Sequence, residues 1–174
     1  KKVNLNKLKS DQIIQFSIDK TNDKIYEFYF QVSNTQKIYL KRNLKDDVFD
    51  KEILSIKLDK ETIYKEDIIL ESLYNSAIVQ KIPANTIIEF AGIYGFQVDF
   101  QRDIRKGDKF QVMYEIFLNE KKEIVETGKI LFSNLKLSGQ DNTLYYFDFE
   151  GSEGHYDKNG KSVKKALMKT PING

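Results

Sequence analysis

Apolar and polar residues alternate along both ends of this chain, and between them the spacing turns helical. Ile14, Phe16 and Ile18 alternate with Gln15, Ser17 and Asp19, so residues 12–19 read as a half-buried strand. After the polar turn KTNDK (20–24), Tyr26, Phe28, Phe30 and Val32 line one face of a second strand, which makes a hairpin. A third strand, Lys37–Lys41, follows the turn SNTQ. Leu54, Ile56 and Leu58 alternate again, and Tyr64, Ile68 and Leu70 do so in part, with Glu66 interrupting.

Near Asp67 the period changes. In SLYNSAIVQKI (72–82), Tyr74, Ile78 and Ile82 recur at spacings of four and predict a helical face. Pro83 begins a second helix, where its missing N–H costs little. Within PANTIIEFAGIYGF (83–96), Ile87, Ile88, Ala91 and Tyr94 form a core-facing stripe, and Gly95 stops the helix. A charged connector, DIRKGD (103–108), leads back into strands. Phe110, Val112, Tyr114, Ile116 and Leu118 alternate, NEKK (119–122) turns the chain, and a long strand covers Glu123–Leu137 with Gly128 as a bulge candidate. SGQDN (138–142) is the next turn, and Tyr145, Phe147 and Phe149 alternate after it. GSEGHYDKNGKS (151–162) contains the hairpin signal Asn159-Gly160. The tail VKKALMKTPING reads as a short helix or extended exit, then a linker.

This order defines an α+β fold of mostly antiparallel strands in two lobes, with a short helical pair between the strand-rich segments. The seam is expected near residues 66–71. That gives a strand-rich N-terminal lobe at 1–70 and an α+β accessory domain at 71–174.

With 174 residues, 12 Phe and 10 Tyr, the chain can bury a core without disulfides. Net charge is only +2, but Lys1, Lys2, Lys7 and Lys9 crowd one end and Lys161, Lys164, Lys165 and Lys169 the other, without acids. The middle is therefore net acidic. Two solvated basic ends explain this more simply than a nucleic-acid patch, since no Arg-rich stripe or aromatic ribonucleoprotein motif accompanies them. No apolar run approaches the ~20 residues of a membrane span. Lys1-Lys2-Val3 is neither a signal peptide nor a natural start, so an upstream leader or domain is expected.

Cysteine is absent and His155 is the single imidazole. Zinc requires three or four ligands, chiefly His and Cys, so an HxH or HExxH site within this chain is excluded. His155 lies in the Gly-rich GSEGHYD and reads as a surface or hairpin histidine. Asp157-Lys158-Asn159-Gly160 lacks the later acids of a calcium loop and reads as a turn. Asp99, Asp103 and Asp108 cluster around Arg102 and Arg105. Paired carboxylates can serve a glycosidase, but acids beside arginines more often form ion pairs or caps. DFQRDIRKGD is read as a connector in which Gly107 allows the turn and Asp108 accepts backbone N–H bonds. No catalytic or metal-binding residue is assigned.

SLYNSAIVQKIPANTIIEFAGIYGFQVDFQRDIRKGDKFQVMYE (72–115), GKILFSNL (128–135), Tyr145–Phe149 and GHYDKNGKSVKKALMKTPI (154–172) follow one another in order. Together they resemble the region before the catalytic domain of lysostaphin/LytM-like zinc endopeptidases, the multidomain cell-wall enzymes of Gram-negative bacteria. That family's zinc ligands lie in HxxxD and HxH segments, and neither is here: His155 is followed four positions later by Asn159. The resemblance implies a non-catalytic accessory or regulatory region, positioning or autoinhibitory, of a peptidoglycan DD-endopeptidase in the periplasm or cell envelope. No cofactor is expected in this chain; zinc is expected only in a peptidase domain beginning near where the chain ends.

The implied partner is that C-terminal peptidase domain, with Lys161, Lys164, Lys165 and Lys169 as a candidate interdomain contact and peptidoglycan as a second partner. The alternative is a stand-alone envelope module binding peptidoglycan or a protein. Tyrosines such as Tyr29, Tyr39 or Tyr145 would then stack on sugars rather than cover sheet faces. A hydrolase built on carboxylates around Asp99–Asp108 is a third reading.

Overall fold

The computed structural model describes residues 13–163. By its contacts the chain divides into two compact units, residues 1–59 and 60–174. The first unit holds β1 (Ile14–Asp19), β2 (Lys24–Ser33), β3 (Gln36–Arg42) and β4 (Phe49–Ser55), an antiparallel sheet in sequence order. Register sets Ile14 opposite Phe30, Phe16 opposite Phe28, and Phe30 opposite Ile38, which in turn faces Ile53. These side chains therefore share one face. Phe30 and Ile38 are buried at its centre, but Phe16 and Ile53 are each 55% exposed. The half-burial expected of β1 fails at Phe16 and Ile18, because the described residues of this unit supply no second layer. Ile56 and Leu58 fall beyond β4. The strand starts earlier instead, where Phe49 pairs with Arg42 and lies under its guanidinium at 4.6 Å.

The second unit runs β5 (Asp59–Ile68), α1 (Leu73–Val79), α2 (Ala84–Tyr94), β6 (Lys109–Leu118), β7 (Ile124–Leu137), β8 (Gln140–Phe149), β9 (Ser152–Tyr156) and β10 (Ser162–Val163). Its sheet order is β10-β9-β8-β7-β6-β5. Because β5 joins the edge of this sheet, the division falls ahead of the seam expected near 66–71. The connector before β6 grips the residue after β5: Ile69 N–H donates to Asp108 O (2.7 Å), and Gly107 N–H to Ile69 O (2.9 Å).

Ser72 caps α1, its side chain accepting from the Asn75 N–H at 3.1 Å. The helix buries Leu73, Ser76 and Ala77, whereas Tyr74 and Ile78, predicted inward, are 43% and 44% exposed. The small Ser76 and Ala77 are the residues turned to the core. Ile82 is still buried, because Lys81 turns left-handed (φ 59) and the Ile82 N–H returns to Ala77 O at 3.1 Å. Pro83 is the N-cap of α2 rather than its first residue, and Gly95 ends the helix with φ −62, without a left-handed turn. Ile87, Ala91 and Tyr94 face the core as predicted, joined by Phe90 and Ile93, while Ile88 faces out.

Both helices lie on the sheet face carrying Phe110, Val112, Tyr114, Ile116 and Leu118, all buried. Tyr94 threads between the layers: its hydroxyl donates to Asn142 O at 2.7 Å and lies 3.1 Å from Ser133 Oγ. Thr86 is the exception to this pairing. Its hydroxyl is buried beside Leu73, Ala77, Phe90 and Phe110 and meets no hydrogen-bond partner among the described residues. An unpaired buried hydroxyl costs about 1–3 kcal/mol. Thr86→Val is therefore expected to raise stability by about 1 kcal/mol, seen as a higher urea midpoint at unchanged slope.

Gly128 forms the anticipated bulge. Tyr114 pairs with Ile130 but Ile116 pairs with Thr127, so β7 carries an extra residue there. Two short turns differ from expectation. Ser138 and Gly139 (φ 48 and 87) alone join β7 to β8, and Glu150 and Gly151 (φ 48 and 80) join β8 to β9. Chain beyond Gly151 is thus free to pair, and SEGHY (152–156) is a strand rather than a turn. His155 is consequently buried, 2% exposed, with Nε2 2.9 Å from Ile130 O and its ring edge-on to Tyr146. Of the surface or hairpin histidine read from the sequence, the hairpin placement holds, since His155 pairs with Val163 of β10, but the side chain is in the core. Asp157 closes the last hairpin, its Oδ1 accepting from the Asn159 and Lys161 N–H groups at 2.8 and 2.9 Å.

Candidate functional site

Alternation along β6 sends Phe110, Val112 and Tyr114 under the helices and leaves Lys109, Gln111 and Met113 on the opposite face. Cross-strand register extends these three positions into three parallel rows. Lys109 faces Lys136, which faces Asp141; Gln111 faces Asn134, which faces Thr143. Met113 faces Phe132, then Tyr145, then Tyr156 of β9. Rows are one two-residue step, about 7 Å, apart. The face therefore grades from charge through amide to aromatic.

Side-chain hydrogen bonds lock the middle row. Asn134 Nδ2 donates to Gln111 Oε1 (2.9 Å) and to Asp141 Oδ1 (2.8 Å), and Thr143 Oγ1 donates to Asn134 Oδ1 (3.3 Å). Gln111 Nε2 donates to Tyr64 Oη (2.8 Å) and Glu66 Oε2 (2.9 Å) on β5, and Tyr64 Oη donates to the same Glu66 oxygen (2.6 Å). The network spans β5 to β8. Lys136 Nζ sits 3.5 Å from Asp141. The Tyr64 hydroxyl and Gln111 amide hold the Glu66 carboxyl below its usual range, as the Asn134 amide does for Asp141.

The aromatic row is the most open. Phe132 and Tyr145 rings are 5.6 Å apart, and Phe147 meets Tyr156 edge-on at 6.1 Å. Phe147 and Phe149 are 57% and 70% exposed, against 39% for Tyr145. The alternation of Tyr145, Phe147 and Phe149 thus marks the outer surface, while Leu144 and His155 pack inward. Toward the other edge lies Glu115, 8% exposed and ion-paired with Lys60. Burial alone would raise the Glu115 carboxyl, but the Lys60 ammonium and the Lys129 N–H outweigh it and hold it below its usual range.

Acid should loosen this face. Glu66, Glu115 and Asp141 have folded pKa values below their unfolded ones, so their stabilisation is complete above the unfolded value and is lost as pH falls through the folded one. The thermal midpoint is expected to hold from pH 7 to about 5 and drop below about pH 4. A midpoint unchanged down to pH 3 would contradict it.

The residues singled out from the sequence are dispersed. Lys161 lies in the hairpin just beyond Tyr156, its N–H bound to Asp157. Lys164, Lys165, Lys169 and the tail helix or exit lie outside the described residues. Asp99, Asp103 and Asp108 do not converge on one point. Asp103 Oδ2 accepts the Asp99 N–H (2.7 Å), and Arg102 pairs with Asp99 at 3.7 Å. Asp108 is buried, accepting from the Arg105 and Ser138 N–H groups at 2.7 Å each. This is the connector expected. Tyr29 and Tyr39 face each other in the first sheet, half-buried, with Tyr39 donating to Glu27 Oε1 at 2.6 Å.

Among the described residues no group of three His, Cys, Asp or Glu side chains is placed to hold a metal ion. His155, inside the core with Nε2 beside a backbone carbonyl, does not fit a zinc ligand set. The arrangement can bind and position through stacking and hydrogen bonding.

Fold and face define an α+β module whose six-stranded sheet carries an ordered polar and aromatic outer surface. Residues 59–173 match the Csd3 second-domain family, and the chain belongs to that family. Across 97% of its length it is 28% identical to the peptidoglycan DD-endopeptidase ShyC of Vibrio cholerae, of which the match covers 37%. The same fold recurs in a zinc-containing peptidase from Vibrio cholerae (TM-score 0.68, 18% identity, 97% of this chain and 50% of that one). It recurs too in Helicobacter pylori Csd3 (TM-score 0.65, 16% identity, 92% of this chain and 42% of that one). The chain thus spans about a third of ShyC and half or less of these structures.

Proposed function

We propose that this chain is a non-catalytic accessory region of a peptidoglycan zinc endopeptidase, acting in the periplasm or cell envelope to position or restrain its peptidase domain. The observation that carries this is the match of residues 59–173 to the Csd3 second domain, reinforced by alignment with ShyC over nearly the whole chain. On this reading the chain is two lobes, the end of a preceding envelope lobe followed by the accessory domain. The contact division at Asp59 and Lys60 supports a border there rather than at residue 70. Zinc belongs to the peptidase domain. Lys161, Lys164, Lys165 and Lys169 are the proposed contact with it, their charge tuning association more than affinity.

Two measurements test this. The purified chain should release no muropeptides from isolated sacculi and retain no zinc after dialysis. The parent gene should encode HxxxD and HxH segments downstream of Gly174. Muropeptide release by the chain alone, or a parent without those segments, would end the reading; a parent without them would favour a stand-alone envelope module.

A further inference from the structure

We propose that the outer face of the six-stranded sheet is a carbohydrate-binding face that takes an extended amino-sugar glycan strand of peptidoglycan. Its pyranose rings lie on Tyr145, Phe147 and Tyr156, and its hydroxyl and acetamido N–H groups donate to Gln111 Oε1, Thr143 Oγ1 and the Asp141 carboxylate, which the buried Asn134 amide holds in place. The choice of polymer rests on the envelope reading above; the choice of carbohydrate rests on the face itself.

Three observations favour a sugar. First, the exposed apolar part of the face is aromatic. The negative face of an aromatic ring complements the weakly positive C–H face of a pyranose, and an edge or face contact of this kind needs little rearrangement of a ring already held on a strand. Phe147 is more than half exposed although it packs against Tyr156, so a ring surface is ordered and left open.

Second, the amide row runs parallel to the aromatic row, one step away. Side chain–side chain bonds are a small minority in folded proteins. Here they link the half-buried Gln111 and Thr143 and the exposed Asp141 through Asn134, which is itself buried beneath them. The linkage spends the Gln111 and Asn134 amide hydrogens within the row and holds the remaining acceptor oxygens in place before any ligand arrives, which lowers the ordering cost of binding sugar hydroxyls. Apolar walls with a few fixed polar groups are what a small-molecule or oligosaccharide site requires.

Third, the charges balance. Glu66 and Asp141 are offset by Lys109 and Lys136, two of them paired at 3.5 Å. A neutral, hydroxyl-rich polymer suits such a face better than a polyanion or a strongly charged protein partner. The row from Met113 to Tyr156 crosses four strands, about 14 Å, so several rings of a polymer can be engaged rather than one.

The test uses the full chain and chitotetraose (a β-1,4-linked N-acetylglucosamine tetramer), an uncharged amino-sugar oligomer. Binding is read by calorimetry and by co-sedimentation with intact sacculi. Chitotetraose should bind, and Tyr145→Ala and Phe147→Ala should each weaken binding about tenfold, as loss of one stacked ring does elsewhere. Phe96→Ala, which removes a still more exposed ring from another part of the molecule, should bind as the unaltered chain does. Circular dichroism melts of the variants separate lost binding from lost folding. Absence of chitotetraose binding, or unchanged affinity in both sheet variants, overturns the proposal. So does a dimer, seen by sedimentation velocity, that Phe147→Ala disperses without any saccharide effect. Because chitotetraose carries no peptide, these outcomes are independent of whether the parent cleaves peptidoglycan.

Discussion

Asp108→Ala should lower the stability of the second unit by about 4 kcal/mol. This carboxylate is 5% exposed and does two jobs at once. One oxygen accepts the Arg105 N–H, shaping the connector, and the other accepts the Ser138 N–H, across the sheet in the β7–β8 turn. Both bonds are 2.7 Å and charge-assisted, a class contributing about 1.5–3 kcal/mol each. Alanine leaves two sheltered amides without their acceptor and relieves the desolvation of only one carboxylate. Asp108→Asn keeps one accepting oxygen and should lose about half as much. Chemical denaturation of the three proteins checks this, and equal midpoints for the alanine variant and the parent would refute the bridging role.

Gly128→Ala should cost about 2 kcal/mol and Gly128→Val more, both in the range of overpacked sites. A methyl at Gly128 would lie 2.6 Å from Glu115 Oε2, 2.8 Å from Glu115 Cβ and 3.0 Å from the Phe117 ring. The carboxylate cannot simply swing aside, since Lys60 and the Lys129 N–H hold it. Nor can Glu115 Cβ move without its strand. The variant must open the bulge or expel Glu115, so the destabilisation should come with faster amide exchange along β6 and β7. A loss below about 0.5 kcal/mol would mean that the bulge relaxes at no cost.

How far the fold could be read in advance depended on whether a segment offered one apolar parity or two. From Phe110 to Leu118 every even position is apolar, whereas Gln111 and Glu115 interrupt Met113 and Phe117 at the odd ones, and the even face is buried as predicted. Leu144 to Phe149 is apolar at both parities, so period alone could not tell that Leu144 turns in while Phe147 turns out. In α1 the large residues Tyr74 and Ile78 dominate the pattern, yet the small Ser76 and Ala77 face the core. His155 was hidden by Gly151 and Gly154, which imitate a turn; Glu150-Gly151 is that turn, and the second glycine is an ordinary strand position.

The outer face was illegible for a different reason. Gln111, Asn134 and Thr143 are far apart in sequence, and only pairing register brings them into a row. That register cannot be counted from the NEKK turn. Irregularities along β6 and β7, the Gly128 bulge among them, slip it by three residues, so a regular hairpin would have set Leu131 opposite Gln111. The Asp99–Asp108 connector, by contrast, was readable, since its acids serve nearby backbone amides as short polar side chains in turns usually do.

The sheet formed by β1 to β4 is a ribbon greasy on one side and, over its described length, unlined. A strip of that kind has no reason to remain solitary in water, since burying Phe16 and Ile53 against anything apolar lowers its free energy. Cut from the chain after Leu58 and produced by itself, it should collect in the insoluble fraction, whereas residues 60–163, with helices already laid over their sheet, should stay dispersed. On that expectation the solubility of this sheet is set by whatever apolar surface is available to cover Phe16 and Ile53.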